Sequence, residues 1–254
     1  MKHVLVTGAT GRTGALVLKK LRERPQDFQT RGFARDAAKA KELFGSAEGF
    51  VFGDVTKPET LAGALAGVEA LVILTSSTPR MKAPPQPGEK PQFEFAAGGM
   101  PEEVDYRGQK AQIDAARAAS VAHVVLVGSM GGTIEGHPLN RLGDGNVLVW
   151  KRKAEAYLID SGLDYTIIRP GGLLDKPGGM RELLVGKDDA FLKNPPEGVP
   201  AAVPRADVAE TVAQALLSPY ARNKAFDVIS RPEESSPAPT TDFDRLFAGT
   251  TPGL

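Results

Sequence analysis

The start of the chain carries the pattern that most restricts what this sequence can fold into. Residues 3–7 are a short apolar run rich in β-branched side chains, which predicts a buried strand. Three glycines follow at a spacing of three residues, Gly8, Gly11 and Gly14, and residues 15–21 then have the apolar spacing of a helix. A glycine turn between a strand and a helix lets the backbone come close to a pyrophosphate, which the helix N-terminus attracts. The sequence therefore predicts a dinucleotide-binding unit here.

Strand and helix patterns alternate along the rest of the chain. Further strands are predicted at residues 28–34, 49–52, 70–74, 123–127, 165–168 and 226–229. Helices are predicted at residues 58–65, 102–119, 147–159 and 205–217. The predicted fold class is α/β, a Rossmann-like doubly wound parallel sheet with helices on both faces, in a single domain over residues 1–254.

Residues 75–103 interrupt this alternation. The segment contains prolines at positions 79, 84, 85, 87, 91 and 101 together with several charges, and it is predicted to be an irregular insert outside the sheet. Because it leaves the C-terminal end of a central strand, where open α/β sheets bind ligands, a functional insert is favoured over a merely mobile one. Residues 231–254 are predicted to be a surface tail with a short helical piece near residues 243–247.

The composition argues against several classes of function. Lysine plus arginine and aspartate plus glutamate both number 31, so no overall field draws the chain to nucleic acid or to a membrane. The absence of cysteine excludes disulfides, thiol catalysis and zinc–thiolate sites. No apolar run approaches the length of a membrane span, and the acidic residues show no metal-ligand spacing. The first strand begins at residue 3, so no signal or transit peptide is expected within the given sequence, and the removal of one stays open.

Motifs spread along nearly the whole chain resemble one known family. They are VLVTGATGRTG (4–14), ALVILTS (70–76), GSMGGT (128–133), WKRKAE (150–155) and RELLVGKDD (181–189). The chain resembles the plant-type atypical short-chain dehydrogenase/reductases, a nitrogen-regulator-like (NmrA-like) group of plants and algae. The glycine spacing G-x-x-G-x-x-G and the proline-rich insert also resemble that group. The resemblance implies a one-domain Rossmann subunit with bound NADP(H), a monomer or weak dimer, in the chloroplast stroma or the cytoplasm.

The end of the second predicted strand distinguishes the two dinucleotides. NAD sites place a carboxylate there for the ribose 2′-hydroxyl, whereas NADP sites place an arginine nearby for the 2′-phosphate. Here Ala34 is followed by Arg35, and Arg12 of the glycine turn faces the same pocket in related proteins. Guanidinium groups match phosphate geometry, so NADP(H) is the predicted cofactor. Asp36 is either the N-cap of the next helix or a ribose acceptor that would favour NAD.

The resemblance also implies which residues surround the cofactor. Asp54 and Val55 would contact the adenine edge, and residues 74–76 would pass under the nicotinamide-side ribose. The expected cofactor-binding residues are Gly8, Thr10, Gly11, Arg12, Thr13, Gly14, Arg35, Asp54, Val55, Leu74, Thr75, Ser76, Ser129, Lys151, Pro170, Gly171 and Gly172.

The catalytic pattern of the superfamily is incomplete in this chain. Its reductases use a serine, and a tyrosine placed four residues before a lysine so that both lie on one helix face. Ser129 and Lys151 match the serine and the lysine and are the predicted catalytic residues, but the tyrosine position is Val147. The candidate proton donors are then Ser129, Lys153, His137 or a group from residues 79–100. The simpler interpretation of His137 is a surface or structural histidine.

Two functions from different classes follow from this incomplete pattern. The first is an NADPH-dependent oxidoreductase acting on a small carbonyl or quinone substrate, with Ser129 polarising the carbonyl. The second is a non-catalytic NADP(H)-binding redox sensor or scaffold that engages a protein partner. The retention of Ser129, Lys151 and the glycines at 171 and 172 favours the oxidoreductase.

Overall fold

The strand β1 (Lys2–Thr7) lies inside an eight-stranded sheet, as its apolar sequence predicts. Val4 and Val6 belong to one hydrophobic cluster and Leu5 to another, because successive side chains of a strand point to opposite faces of the sheet. The sheet is therefore covered on both sides. The structure, a computed structural model, describes residues 1–86 and 88–254. Pro87, one of the prolines of the insert, lies outside the described residues.

The main sheet has the strand order β10–β12–β8–β7–β4–β1–β2–β3. The remaining strands of the described chain are β2 (Phe28–Ala34), β3 (Phe50–Phe52), β4 (Ala70–Ile73), β5 (Arg80–Met81), β6 (Phe93–Glu94), β7 (His123–Val127), β8 (Tyr165–Pro170), β9 (Gly172–Leu174), β10 (Leu183–Gly186), β11 (Ala202–Pro204) and β12 (Lys224–Ser230). Every neighbouring pair in the main sheet is parallel except β10 and β12, which are antiparallel. The doubly wound parallel sheet is confirmed. The antiparallel edge strand β10 is not predicted by the sequence pattern.

The helices divide between the two faces of the sheet. They are α1 (Arg12–Arg22), α2 (Ala37–Phe44), α3 (Gln109–Ala118), α4 (Val147–Asp160), α5 (Ala190–Lys193), α6 (Arg205–Leu217) and α7 (Phe243–Ala248). Buried residues of α1 and α6 share a cluster with Val4 and Val6, whereas those of α3 and α4 share a cluster with Leu5. A seven-residue π-helix, Glu102–Gly108, leads directly into α3.

Three predicted segments differ from the structure. The helix expected at residues 58–65 is reduced to the 3₁₀ turn Pro58–Thr60, followed by further turns. The insert is outside the main sheet, but it forms a small antiparallel ribbon of β5 and β6. The surface tail ends in α7, whose Phe243 and Phe247 are buried in the same cluster as Phe226 of β12. This burial attaches the tail to the domain.

The strand order places the reversal of the winding between β1 and β4. In open α/β sheets ligands bind at such a point, outside the C-terminal ends of the strands. The glycine turn, Arg35, Asp54 and Leu74 follow β1, β2, β3 and β4, so all four predicted cofactor positions lie at this edge. Over residues 1–86 and 88–254, no helix has both the length and the apolar character needed to cross a membrane.

Candidate functional site

The glycine turn after β1 has a shape that only glycine tolerates. Gly8 has a φ of +66°, and a Cβ atom there would lie 2.7 Å from the carbonyl oxygen of Leu74. A Cβ atom on Gly14 would lie 2.1 Å from the Gly8 carbonyl oxygen. The N-cap of α1 is Gly11, which has no side chain to bond the first N–H groups of the helix. These features leave a close-fitting backbone cradle at a helix N-terminus, which suits the pyrophosphate of a dinucleotide.

A cleft of about 390 Å³ opens at this turn. It brings together nine of the predicted cofactor-binding residues, namely Gly8, Thr10, Gly11, Arg35, Asp54, Val55, Leu74, Thr75 and Ser76. The insert also contributes to the lining through Ser77, Thr78, Arg80, Ala96, Ala97 and Gly99. The insert therefore forms one wall of the cleft, whose opposite wall comes from β2 and β3 and the residues that follow them.

Three cationic side chains line the cleft: Arg35, Lys39 of α2 and Arg80 of the insert. The acidic residue among the described lining residues is Asp54. Burial by itself would raise the pKa of Asp54, but hydrogen bonds from the backbone and hydroxyl of Thr56 and the nearby Arg35 charge hold it below its ordinary value. The described lining thus carries three cations and one carboxylate, an excess of positive charge that suits a phosphate group.

The two alternatives for Asp36 are separated by the structure. Its carboxylate accepts hydrogen bonds from the backbone N–H groups of Ala38 (2.8 Å) and Lys39 (3.3 Å), so it is the N-cap of α2. The cleft lining described above does not include it. Position 34, at the end of β2, is alanine, so no carboxylate stands where NAD-specific sites place one.

Arg12 and Thr13 belong to the first turn of α1 and are not among the described residues that line the cleft. The Arg12 guanidinium forms an exposed ion pair with Asp175, which also accepts a hydrogen bond from Arg205 at 2.6 Å. A phosphate role for Arg12 would require it to exchange this partner for the cofactor. Arg35 is therefore the stronger candidate for the 2′-phosphate.

The loop after β4 is hydrogen-bonded to two buried glutamines of α3. Gln109 donates to the Thr75 carbonyl oxygen at 3.0 Å, and Gln112 donates to the Thr75 hydroxyl at 3.1 Å. Both glutamines are almost fully buried. Because these bonds fix Leu74 and Thr75, the backbone that closes against Gly8 has a defined position.

Lys151 lies one turn into α4 and forms a buried ion pair. Its Nζ atom is 2.7 Å from Oδ1 of Asp105, with side-chain exposures of 10% and 0% for the lysine and the aspartate. Asp105 belongs to the π-helix before α3, and its other oxygen accepts the backbone N–H of Ser77 at 3.0 Å. The pair joins the start of the insert to α4 and holds the ammonium group beside the Asp105 carboxylate.

Ser129 follows β7 and is half-buried, and its hydroxyl donates to the Met130 carbonyl oxygen at 3.0 Å. The backbone on either side of it packs on α4. A Cβ atom on Gly128 would lie 2.3 Å from Oε1 of Glu155, and one on Gly132 would lie 2.8 Å from Cγ of Arg152. The loop that carries Ser129 therefore lies along the helix that carries Lys151, although neither residue is in the described lining of the cleft.

The predicted residues after β8 are engaged by neighbouring backbone. The Pro170 carbonyl oxygen accepts from Met130 N–H at 3.1 Å, and Gly171 N–H donates to the Val228 carbonyl oxygen at 3.0 Å. A Cβ atom on Gly171 would lie 2.5 Å from the Ala201 carbonyl oxygen, and Gly172 donates to that same oxygen at 2.8 Å. The close approach of the Ala201 carbonyl oxygen explains why position 171 is glycine. Contact of Pro170, Gly171 and Gly172 with the cofactor stays a prediction.

The structure also separates the candidate proton donors. Lys153 projects its ammonium over the Trp150 ring, 4.2 Å from the centroid. His137 lies beside the loop that carries Ser129, since a Cβ atom on Gly131 would be 3.0 Å from the Cδ2 and Nε2 atoms of His137. His123, in contrast, is buried in β7 with Nε2 2.9 Å from the Thr166 hydroxyl, as expected of a structural histidine. Across residues 1–86 and 88–254, no three acidic or histidine side chains are grouped as a metal site.

Sequence reasoning missed Lys39, Arg80 and Asp105. Lys39 lies in the first turn of α2, whose N-cap Asp36 directly follows Arg35, so the two cations are close in the chain. Asp105 could have been suspected, because a carboxylate on the apolar side of a helix needs a charged partner. Arg80 carries no comparable signal, since its position depends on how the insert folds back.

Comparison with known proteins agrees with this geometry. Residues 8–219 match the sequence model of the NAD(P)H-binding family. An uncharacterised chloroplastic protein of Arabidopsis thaliana is 53% identical over 98% of this chain and 75% of its own length. Sanguinarine reductase of Eschscholzia californica is 48% identical over 98% of this chain and 96% of its own length.

The fold is shared with proteins of much lower identity. A Bacillus halodurans protein provisionally classed as an NAD-dependent epimerase/dehydratase superposes with a TM-score of 0.74 at 22% identity, covering 98% of this chain and 99% of its own. The likeness at this identity concerns the fold alone. Together with the glycine cradle and the match over residues 8–219, these relatives show that the chain belongs to the NAD(P)H-binding family, as a plant-type atypical short-chain dehydrogenase/reductase.

Proposed function

We propose that this oxidoreductase uses NADPH to reduce a small carbonyl or quinone compound. The observation that carries the choice of NADPH over NADH is the group of three cations, Arg35, Lys39 and Arg80, around a cleft in which position 34 is alanine. A 2′-phosphate would lie among these cations, whereas a bare ribose would find no carboxylate at the end of β2. The 48% identity with sanguinarine reductase supports a reductase activity.

The chain's own residues would act on the acceptor as follows. When bound, NADPH supplies a hydride from its nicotinamide ring. Ser129, whose hydroxyl donates to the Met130 carbonyl oxygen in the structure, would exchange that partner for the carbonyl oxygen of the acceptor and stabilise its negative charge. Lys151, with one side of its ammonium held by Asp105, keeps its remaining N–H groups for the ribose hydroxyls.

The reduction also consumes a proton, and tyrosine is absent from position 147. We assign the donor role to His137, because it packs beside the loop of Ser129 while Lys153 points onto Trp150. A positioned general acid contributes roughly 10²- to 10⁴-fold to rate. The variant His137→Ala should therefore lose at least tenfold in kcat, whereas Lys153→Ala should not. Equal rates for both variants and the wild type would remove His137 from the mechanism.

Cofactor choice is tested by titrating the protein with NADPH and NADH while following cofactor fluorescence. Arg35→Ala should weaken NADPH binding by roughly 1.5–3 kcal/mol, since a charged hydrogen bond to the 2′-phosphate is lost, and leave NADH binding nearly unchanged. Lys39→Ala should show the same selectivity with a smaller loss. Lys41→Ala is the matched control, because Lys41 is exposed on the same helix and is not in the described lining of the cleft. Equal losses for both nucleotides would show that Arg35 does not hold the phosphate.

Turnover is tested with the same protein and a panel of quinones and small carbonyl compounds. Oxidation of NADPH by one class of acceptor would establish the reductase and its substrate class. Tight NADPH binding without oxidation across the panel would instead support a cofactor-binding sensor. Failure to bind either nucleotide would overturn the assignment made from Gly8, Gly11 and Gly14.

We also propose a chloroplast location. The proposal rests on the 53% identity with a chloroplastic Arabidopsis protein over 98% of this chain. Fractionation of the source cells followed by immunodetection would test it. Recovery in the cytoplasmic fraction alone would contradict it.

A further inference from the structure

The segment between β10 and α5 contains two adjacent residues in a rare backbone conformation. Asp188 has a φ of 56° and Asp189 a φ of 59°, both in the left-handed region that non-glycine residues seldom adopt. Such strain persists where surrounding contacts hold it, and it is concentrated at functional sites. The two residues end the motif RELLVGKDD, to which the proposed reaction assigns no role.

The side chain of Asp189 is directed into the loop that carries Ser129. It is 2% exposed and accepts three hydrogen bonds: from Gly131 N–H at 2.6 Å, from Thr133 N–H at 2.8 Å and from the Thr133 hydroxyl at 2.7 Å. Burial alone would raise the pKa of Asp189, but these bonds and the nearby Lys193 hold it below its ordinary value. The carboxylate is thus a charged anchor for the backbone N–H groups of Gly131 and Thr133, two and four residues after Ser129.

A chain of buried charged side chains, Asp227, Arg169 and Glu155, begins at the backbone of Asp189. Its own N–H donates to Oδ2 of Asp227 at 2.8 Å. Asp227, fully buried in β12, has Oδ1 3.8 Å from Nη1 of Arg169, and Arg169 in β8 donates through Nε to Glu155 at 2.9 Å. Three elements of the main fold, β12, β8 and α4, are linked in this way to one end of the Ser129 loop.

The same chain of charges reaches the other end of that loop. Glu155 belongs to α4, and its free oxygen Oε1 lies against Gly128, the residue before Ser129. Glu155 is one helical turn after Lys151. The loop is therefore held on both sides of Ser129. Gly128 contacts Glu155, and Gly131 is hydrogen-bonded to Asp189. These contacts connect the loop of Ser129 to α4, the helix that carries Lys151.

We propose that Asp189 is a positioning residue that holds the Ser129 loop in register with Lys151. The proposal rests on the proposed function, in which Ser129 bonds the acceptor oxygen. A displacement of about 1 Å of a reacting group can cost roughly 100-fold in rate, so loosening this loop should be visible in kcat. NADPH affinity should hardly change, because the residues that line the described cleft lie at the end of β2, in the segments that follow β1, β2, β3 and β4, in α2, in the insert and in the π-helix, and none lies in the loop that carries Ser129.

The test compares Asp189→Asn with Asp188→Asn. Both substitutions remove one charge at adjacent left-handed positions, where asparagine is tolerated, but the Asp188 side chain is exposed and outside the hydrogen-bonded set. Three quantities are measured on the full chain: kcat with the best acceptor of the panel, the NADPH dissociation constant, and amide hydrogen exchange at residues 131 and 133. We expect Asp189→Asn to lose 10- to 100-fold in kcat with less than a threefold change in NADPH affinity, and to exchange faster at both amides. Asp188→Asn should match the wild type in all three.

Several results would overturn the proposal. They are an unchanged kcat in folded Asp189→Asn, or a loss that Asp188→Asn shares. If Asp189→Asn does not fold, Thr133→Val removes one of the three bonds and should lower kcat about threefold, and no loss in that variant counts against the proposal. A wild-type protein that binds NADPH but reduces no acceptor refutes the proposed function instead. Amide exchange at residues 131 and 133 then decides alone whether Asp189 holds the loop.

Discussion

The buried ion pair between Lys151 and Asp105 gives a quantitative prediction. The carboxylate is fully buried and the lysine side chain is 10% exposed, with 2.7 Å between Nζ and Oδ1. Removing one partner from such a pair leaves an uncompensated buried charge, which costs about 3–5 kcal/mol. Lys151→Met should lose about this much unfolding free energy. Asp105→Asn should lose somewhat less, because the amide oxygen can still accept from Ser77 N–H.

The double variant Lys151→Met/Asp105→Asn removes both charges and should be more stable than Lys151→Met alone. We expect the two effects to be coupled by at least about 2 kcal/mol, since contacting residues in one ion pair are not additive. The assay is urea unfolding of all four proteins in the double-mutant cycle, followed by circular dichroism without cofactor. The control cycle is Arg107→Met with Glu102→Gln, a pair on the outside of the same π-helix with exposures of 61% and 41%. Its coupling should be too small to resolve.

Additive losses at Lys151 and Asp105 would refute the reasoning. They would mean that solvent reaches the pair and that Asp105 does not hold the ammonium group in place. Lys151 would then approach the cofactor ribose without support from Asp105.

Three further predictions concern titration and the glycine cradle. Burial raises the pKa of Asp227 to about 6, so the native state holds a proton more tightly than the unfolded chain. Relative to Asp227→Asn, the wild type should therefore lose about 2 kcal/mol of unfolding free energy as pH rises from 4 to 7, and parallel pH profiles would contradict this. Burial, with the nearby Arg222 and Lys2 charges, lowers the pKa of His123 to about 3, so stability should fall as pH drops below about 6.5. His123→Gln should remove up to about 5 kcal/mol of that acid-induced loss in equilibrium unfolding below pH 4. Gly14→Ala should weaken NADPH binding more than tenfold by titration, because its Cβ meets the Gly8 carbonyl, while Gly63→Ala, with open space around it, should not.

The central unit of the fold could be predicted because its signals are local. An apolar run, glycines three residues apart and a helical repeat are all contained in residues 3–21, and each element forms where its pattern lies. The positions of Arg35, Asp54 and Leu74 followed from the same logic, since the end of each parallel strand must reach one edge of the sheet.

Other features depend on partners far away in the chain, which no local pattern specifies. The strand β10 forms because Leu183 pairs with Ser230, and α7 is buried because Phe247 meets Phe226. The helix expected at residues 58–65 is mostly turns in the structure, although Leu61 and Leu65 are buried as an amphipathic helix would require. The apolar spacing thus predicted correctly which side chains are buried, but it predicted a longer helix than the 3₁₀ turn Pro58–Thr60.

The sequence by itself determined the class of ligand and predicted the edge of the sheet at which it would bind, because the glycine spacing and the strand and helix patterns are properties of short segments. Which charges meet was decided only by the tertiary structure. Asp36 caps α2, Asp105 neutralises Lys151, and Asp189 reaches the loop of Ser129 from nearly 60 residues further along the chain. The sequence does not distinguish these three aspartates, because it does not show their partners. A buried carboxylate needs a hydrogen-bond donor or a cation, and folding decides which one lies next to it.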